Sequence, residues 1–143
     1  MTVPARSAQA VRSPDVVELE VPADAAYVAV VRTATAGLAA RLDLTLDRIE
    51  DLRIAIDEAC TLLIRGPNDV GEHINCLFRL EEGGLTVDVT GPDVKLPDPG
   101  AYAWAVLSAL VDTLETGHED VGHSGRRNTW IRLGVRAGTG PWG

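Results

Sequence analysis

Cysteines, aromatic residues and long hydrophobic runs are all scarce in this sequence. The two cysteines, Cys60 and Cys76, lie in apolar segments without the Cys-x-x-Cys spacing of zinc and redox sites. We predict buried, reduced thiols, which excludes a disulfide framework and favours a cytoplasmic protein. No segment is apolar over the length of a transmembrane helix, and the N-terminus lacks the apolar core of a signal peptide. We therefore expect no membrane association.

Positive charge is also in short supply. The chain has 13 lysines and arginines against 21 aspartates and glutamates, for a net charge of −8. Such a protein is repelled by phosphate backbones, so direct nucleic-acid binding is excluded. It is attracted to basic protein surfaces, which nucleic-acid-binding proteins commonly carry, although the same acidity also serves solubility alone.

Length and composition predict one compact domain. The 143 residues are 45% hydrophobic, enough to bury a core, and only 4% aromatic, so aliphatic side chains must fill that core. The polar, aperiodic residues 1–14 and the glycine-rich residues 137–143 are predicted to be flexible tails. Residues 15–136 are predicted to form the domain.

Hydrophobic spacing predicts a strand, two helices, a hairpin, a loop, a third helix and two strands. This order predicts an α/β two-layer sandwich, with a mixed and mostly antiparallel sheet and three helices on one face. The predicted elements are a strand at 15–21, helices from Asp24 to Leu42 and from Thr45 to about Arg65, strands at 73–80 and 85–90, a loop at 91–100, a helix at 102–114, a weak strand at 114–118 and a strand at 129–135.

Two segments carry a family resemblance. Residues 51–64 read Asp-Leu-Arg-Ile-Ala-Ile-Asp-Glu-Ala-Cys-Thr-Leu-Leu-Ile, and residues 99–110 read Pro-Gly-Ala-Tyr-Ala-Trp-Ala-Val-Leu-Ser-Ala-Leu. In order and spacing they resemble the anti-sigma serine-kinase switch proteins, in particular a degenerate actinobacterial branch of them. This family belongs to the ATPase superfamily of gyrase, heat-shock chaperones and histidine kinases. The resemblance spans Val16 to Val135 and implies a histidine-kinase-like ATPase fold.

The resemblance also implies a nucleotide site that this sequence has partly lost. Glu58 occupies the position of the catalytic glutamate, but Leu62 replaces the asparagine that holds magnesium, and leucine has no oxygen for a hard cation. Asp93 corresponds, in a shifted register, to the adenine-binding aspartate, and its Gly-x-Gly partner is missing. Gly100 and Thr129 match further nucleotide-binding positions. We therefore expect weak or absent kinase activity, poor binding of ATP and magnesium, and a vestigial Glu58.

The partner-binding surface of the family is implied to remain. Arg32, on the first helix, matches an arginine that contacts both the sigma factor and its anti-anti-sigma competitor, and a planar guanidinium suits a partner carboxylate. The expected function is an anti-sigma factor that acts as a homodimer. Two alternatives stay open: an active Mg-ATP-dependent serine kinase that phosphorylates the anti-anti-sigma protein, and a ligand sensor with residues 91–100 as its lid.

A second group of polar residues resembles a metal site only in composition. His118, Glu119, Asp120 and His123 lie in a predicted glycine-rich loop and lack regular ligand spacing, so no metal site is predicted. Arg126 and Arg127 are expected to form a solvated turn or to contact an acidic partner or nucleotide phosphates.

Overall fold

The computed structural model describes residues 15–64, 71–123 and 125–137. A five-stranded sheet has the order β1-β2-β3-β5-β4, and all four neighbouring pairs are antiparallel. The helices pack on one face of it, which confirms the predicted α/β two-layer architecture. The elements are β1 (Asp15–Pro22), a 3-10 turn (Ala25–Tyr27), α1 (Val28–Ala39), α2 (Leu46–Leu63), β2 (His73–Glu81), β3 (Gly84–Gly91), α3 (Tyr102–Leu110), β4 (Thr113–Val121) and β5 (Arg126–Arg136).

Helix α2 forms as its sequence predicts. Thr45 caps its first turn, where the Thr45 side chain accepts a hydrogen bond from the Arg48 backbone N–H at 3.2 Å. Apolar residues at spacings of three and four then place one stripe against the sheet, and Leu52, Ile56 and Leu63 are completely buried. The opposite face of α2 is mostly polar, and Ile54 is exposed there at 46% of its surface.

The two faces of the sheet differ sharply in chemistry. On the helix side, Phe78, Val87 and Ile131 have no solvent exposure, and they alternate along their strands with polar residues. The face away from the helices, the outer face, carries Asp88, which accepts hydrogen bonds from Arg79 at 2.8 Å and Arg132 at 2.6 Å. Partial burial opposes the ionisation of Asp88, but the hydrogen bonds from the two arginines outweigh it and hold its pKa below the usual value.

The third helix is shorter than predicted, and the strand after it is longer. Helix α3 ends at Leu110 instead of Leu114, and β4 begins at Thr113. Asp112 fixes this boundary, because its backbone N–H donates to Gly134 O and its carboxylate accepts from the backbone N–H of Arg136. Pairing with β5 therefore overrides the helical spacing of the apolar residues in this segment.

The same pairing corrects the predicted loop before the last strand. His118, Glu119 and Asp120 lie within β4, and β5 begins at Arg126 instead of Thr129. Helix α2 ends at Leu63, slightly before the predicted end near Arg65, and residues 65–70 lie outside the described part. Of the predicted tails, residues 1–14 and 138–143 also lie outside the described part. Ala137 is described, and its N–H donates to Gly83 O at 3.0 Å. In the described ranges, the helices fall short of the length and hydropathy needed to cross a bilayer.

Candidate functional site

Arg32 and Asp57 join α1 to α2 at the protein surface. The Arg32 guanidinium donates to the Asp57 carboxylate at 2.5 Å, and the two side chains keep 36% and 44% of their surface exposed. Val31 and Thr35, next to Arg32 on the helix, are fully buried, and the Thr35 hydroxyl donates to Val31 O. Buried neighbours and one ion pair thus orient Arg32 while leaving most of its five N–H donors available.

Glu58 and Leu62 lie one turn apart on the same helix and are both half-buried. Their spacing of four residues places them on one face of α2. Within the described ranges, the Glu58 carboxylate makes no hydrogen bond or ion pair, whereas neighbouring Asp57 is bound by Arg32. Leu62 packs against the core and presents no oxygen. We call Arg32, Asp57, Glu58 and Leu62 the α1–α2 face.

Thr129 lies beneath the segment that links β3 to α3, residues 92–101, called here the β3–α3 loop. The buried Thr129 hydroxyl accepts a hydrogen bond from Val94 N at 2.9 Å and lies 3.2 Å from Val94 O and 3.1 Å from His118 Nδ1. The threonine has no solvent exposure. Its hydroxyl, which the resemblance places at a nucleotide-binding position, holds the loop on the sheet.

Asp93 is exposed beside the same threonine. Its carboxylate lies 3.5 Å from the Arg127 guanidinium and 3.8 Å from His118 Nδ1. Together with Lys95 and Leu96 these residues line an open pocket of about 410 Å³. The structure therefore brings the predicted Asp93 and Thr129 together through His118, which the sequence did not connect with either of them.

A second pocket adjoins the first and is more apolar. It has a volume of about 420 Å³ and lies between the loop, α3 and β4. Trp104 closes one side, and its indole N–H donates to Pro97 O at 3.1 Å, which fixes the loop to α3. We call this pocket the loop groove; it is lined by Leu96, Pro97, Pro99, Trp104, Leu114, Thr116, Gly117 and His118.

The remaining predicted positions are less closely tied to these pockets. Gly100 is exposed just before α3, and a Cβ atom there would have no neighbour within 4 Å, so no close approach requires glycine. The α1–α2 face is linked to the loop through Leu63: a Cβ on Gly91, where the loop begins, would lie 3.1 Å from Leu63 Cβ. Helix α2 therefore closes directly on the start of the loop.

The histidine and acidic residues of β4 do not converge on one point. His118 and Asp120 alternate with Glu119 across the two faces of the strand. Within residues 15–64, 71–123 and 125–137, no three potential ligands lie close enough to hold a metal ion. Cys60 and Cys76 are buried as predicted, and a hydrogen bond to Cys76 together with burial raises the pKa of the Cys60 thiol.

Known proteins share both the sequence pattern and the fold. The histidine kinase-like ATPase domain family matches residues 21–126. The serine-protein kinases RsbW of Bacillus thuringiensis (strain Al Hakam) and Bacillus anthracis (strain CDC 684 / NRRL 3495) are each 32% identical over 127 aligned residues, covering 73% of this chain and 78% of theirs. A crystal structure of the RsbU and RsbW domains of a Mycobacterium tuberculosis protein has a TM-score of 0.61 and 17% identity, which shows a common fold. It covers 85% of this chain, which spans about a third (32%) of that longer one.

Proposed function

Because this chain belongs to the histidine kinase-like ATPase domain family, among relatives of the RsbW serine-protein kinases, we propose that it is an anti-sigma factor. It holds a sigma factor of a stress or developmental programme in the cytoplasm through protein–protein contacts. An anti-anti-sigma protein competes for the same surface and releases the sigma factor. Two partners whose binding is mutually exclusive are sufficient for such control, and no chemical step is required.

The observation that carries this proposal is the state of Arg32. Its guanidinium is half-exposed, oriented by Asp57 and anchored next to buried residues of α1. An arginine prepared in this way offers a planar fork to a partner carboxylate at little further cost in side-chain entropy. The acidic chain, with a net charge of −8, is also attracted as a whole to a basic, DNA-binding partner.

The residues at the nucleotide site of the fold do not fit magnesium and ATP. Leu62 offers no oxygen to the metal, and the Thr129 hydroxyl is buried against Val94. Pro92 and Val94 stand beside Asp93, where a flexible glycine-containing segment would let a nucleotide approach the backbone. We therefore derive no phosphoryl-transfer step for this chain.

A second candidate function, serine kinase of the anti-anti-sigma protein, is favoured by one observation. The Glu58 carboxylate is half-buried and free of partners within the described ranges, so it is available to accept a proton as a general base. The relatives named as serine-protein kinases support this candidate as well. We rank the kinase function second because the residues around Leu62 and Thr129 do not fit magnesium and ATP.

A homodimer is part of the proposal. The edge strand β1 exposes Val16 and Val17 at 55% and 39% of their surface. Exposed β-branched residues on an unpaired edge strand favour pairing with another chain.

The test is a titration of the sigma factors encoded in the same genome against purified variants. Arg32→Glu reverses the charge at the proposed contact and should weaken binding by at least about tenfold, as expected for a desolvated charge pair. The matched control is Arg53→Glu, since Arg53 is also a helix arginine in an ion pair, with 40% of its side chain exposed. Equal affinity of wild type and Arg32→Glu would show that the proposed contact surface is wrong.

A further inference from the structure

Strand β4 forms one edge of the sheet. Among the residues that the structure describes, it pairs with β5 alone, in the order β1-β2-β3-β5-β4. An edge strand presents a row of backbone N–H and C=O groups that an incoming extended segment can pair with. The stretch from Thr113 to Asp120 within β4 is long enough to align such a segment residue by residue.

The outer face of β4 is acidic. Glu115 and Glu119 point to this side, where their cross-strand neighbours are Arg132 and Asn128. Arg132 is bound mainly by Asp88 at 2.6 Å and lies 4.0 Å from Glu115, whose side chain remains 62% exposed. The strand has no lysine or arginine of its own. Both glutamates are therefore available to cations on an added strand.

The helix side of β4 is different. Leu114, Thr116 and His118 point to this side and form one wall of the loop groove, opposite Leu96 and Trp104. Farther along, Lys95 and Arg127 lie beside His118, and Asp93 is 3.5 Å from the Arg127 guanidinium. An added strand would thus meet an apolar groove on this side, which suits apolar side chains better than basic ones.

We propose that the β4 edge docks an extended segment of a partner protein in which apolar and basic residues alternate. Successive side chains of a strand point to opposite faces, so the apolar ones enter the loop groove and the basic ones lie beside Glu115 and Glu119. Backbone hydrogen bonds supply affinity, and the alternation supplies specificity. This surface uses neither Arg32 nor Glu58 and goes beyond the proposed function.

The opposite edge, β1, provides an internal control for charge, because its outer face is also acidic and remains exposed when β1 pairs in the proposed homodimer. Glu18 and Glu20 lie on its outer face, but Glu18 already accepts a hydrogen bond from the Asn75 side chain at 2.8 Å. On the helix side, Val21 is buried in the core instead of bordering a groove. A peptide attracted by charge alone would bind both edges.

The probe is a capped, fluorescein-labelled peptide of about eight residues in which arginine and valine alternate, a typical strand length. It is titrated into the full chain, with the affinity read from anisotropy and the location from amide chemical shifts. We expect saturable binding, with the largest shifts in β4. A second peptide has the same composition with all valines before all arginines, and it should bind at least about tenfold more weakly because it cannot alternate.

Variants separate the two edges. Glu115→Lys/Glu119→Lys should weaken the alternating peptide by about tenfold or more, and Glu18→Lys/Glu20→Lys by less than about twofold. Unchanged circular dichroism and melting temperature would establish that both variants are folded. Equal affinity for the two peptides, largest shifts in β1, or no saturable binding would each overturn the proposal. Arg32→Glu should leave peptide binding unchanged, so this surface and the sigma-factor contact can fail independently.

Discussion

On the α1–α2 face the paired polar side chains remain partly exposed, whereas beneath the β3–α3 loop the Thr129 hydroxyl is enclosed by its partners. Arg32 and Asp57 meet at 2.5 Å with more than a third of each side chain exposed. Thr129, by contrast, is fully buried, and its hydroxyl is hydrogen-bonded to both the backbone N–H and the backbone C=O of Val94. One fold thus holds an oriented, solvent-accessible ion pair and a hydroxyl that is fully occupied by its own loop.

The largest effect is expected where the two regions meet. Leu63→Ala removes a fully buried side chain between α2 and the start of the loop at Gly91, and it should lower the free energy of unfolding by about 2 to 5 kcal/mol. The matched control Leu62→Ala, on the half-buried neighbour, should cost less than half as much. Urea denaturation measures both. Equal losses would mean that Leu62 belongs to the core and not to the α1–α2 face.

Removing the hydroxyl of Thr129 tests the loop contact itself. Thr129→Val keeps the shape but leaves the Val94 N–H without its acceptor, and we expect a loss of about 1 to 3 kcal/mol in unfolding free energy. Amide exchange at Val94 should accelerate along with it. Thr129→Ser retains the hydroxyl and should preserve most of the protection. If the valine variant exchanges as slowly as wild type, the hydroxyl does not hold the loop.

Acid should act on the sheet that carries both regions. Because the folded-state pKa of Asp88 is lowered, its stabilising contribution is complete above the ordinary carboxyl pKa, 3.8, and is lost as the pH falls through the lower folded value. Asp88→Asn should therefore cost roughly 1 kcal/mol at neutral pH, and the difference from wild type should shrink in acid. Denaturation midpoints at several pH values measure this. A constant difference down to the most acidic pH would contradict the role of the Asp88 charge.

The smallest expected effect is on nucleotide binding. Calorimetric titration of Mg-ATP into the wild type should give no saturating heat, and Leu62→Asn should not restore it. Asparagine would return one metal ligand, but Thr129 would stay bound to Val94. Micromolar binding by the wild type would make the serine-kinase function the better supported of the two candidates. Binding by the variant alone would show that the loop opens and that the metal ligand was the missing part.

Helix α2 was predictable because its apolar residues recur at a spacing that only a helix places on one face. In α2 the stripe through Leu52, Ile56 and Leu63 fits only a helix, and Thr45 caps it as predicted. The segment after α3 was ambiguous, since Leu114 continues the helical spacing and also fits the inner side of a strand, where it lies opposite Leu133. Hydrogen bonds to β5, which is distant in sequence, determine that this segment forms a strand.

For the candidate site, the sequence predicted individual residues but not the contacts between them. The resemblance located Arg32, Glu58, Asp93 and Thr129 individually. The pairing of Arg32 with Asp57 depends on how α1 packs on α2 and cannot be read from local spacing. His118 reaches Thr129 because β4 pairs with β5 in one register, and a strand predicted only weakly could not supply that register.

Two tryptophans give the β4 edge a built-in optical readout. Trp104 lines the loop groove, whereas Trp130 lies on the outer face, so close to Gly117 that a Cβ there would be 2.6 Å from the indole. Indole emission responds to local polarity and quenchers, and each ring monitors one side of the same strand. With Trp142, outside the described residues, replaced by phenylalanine, variants that keep either Trp104 or Trp130 alone would distinguish, by their emission spectra, an occupant of the groove from one lying across the sheet.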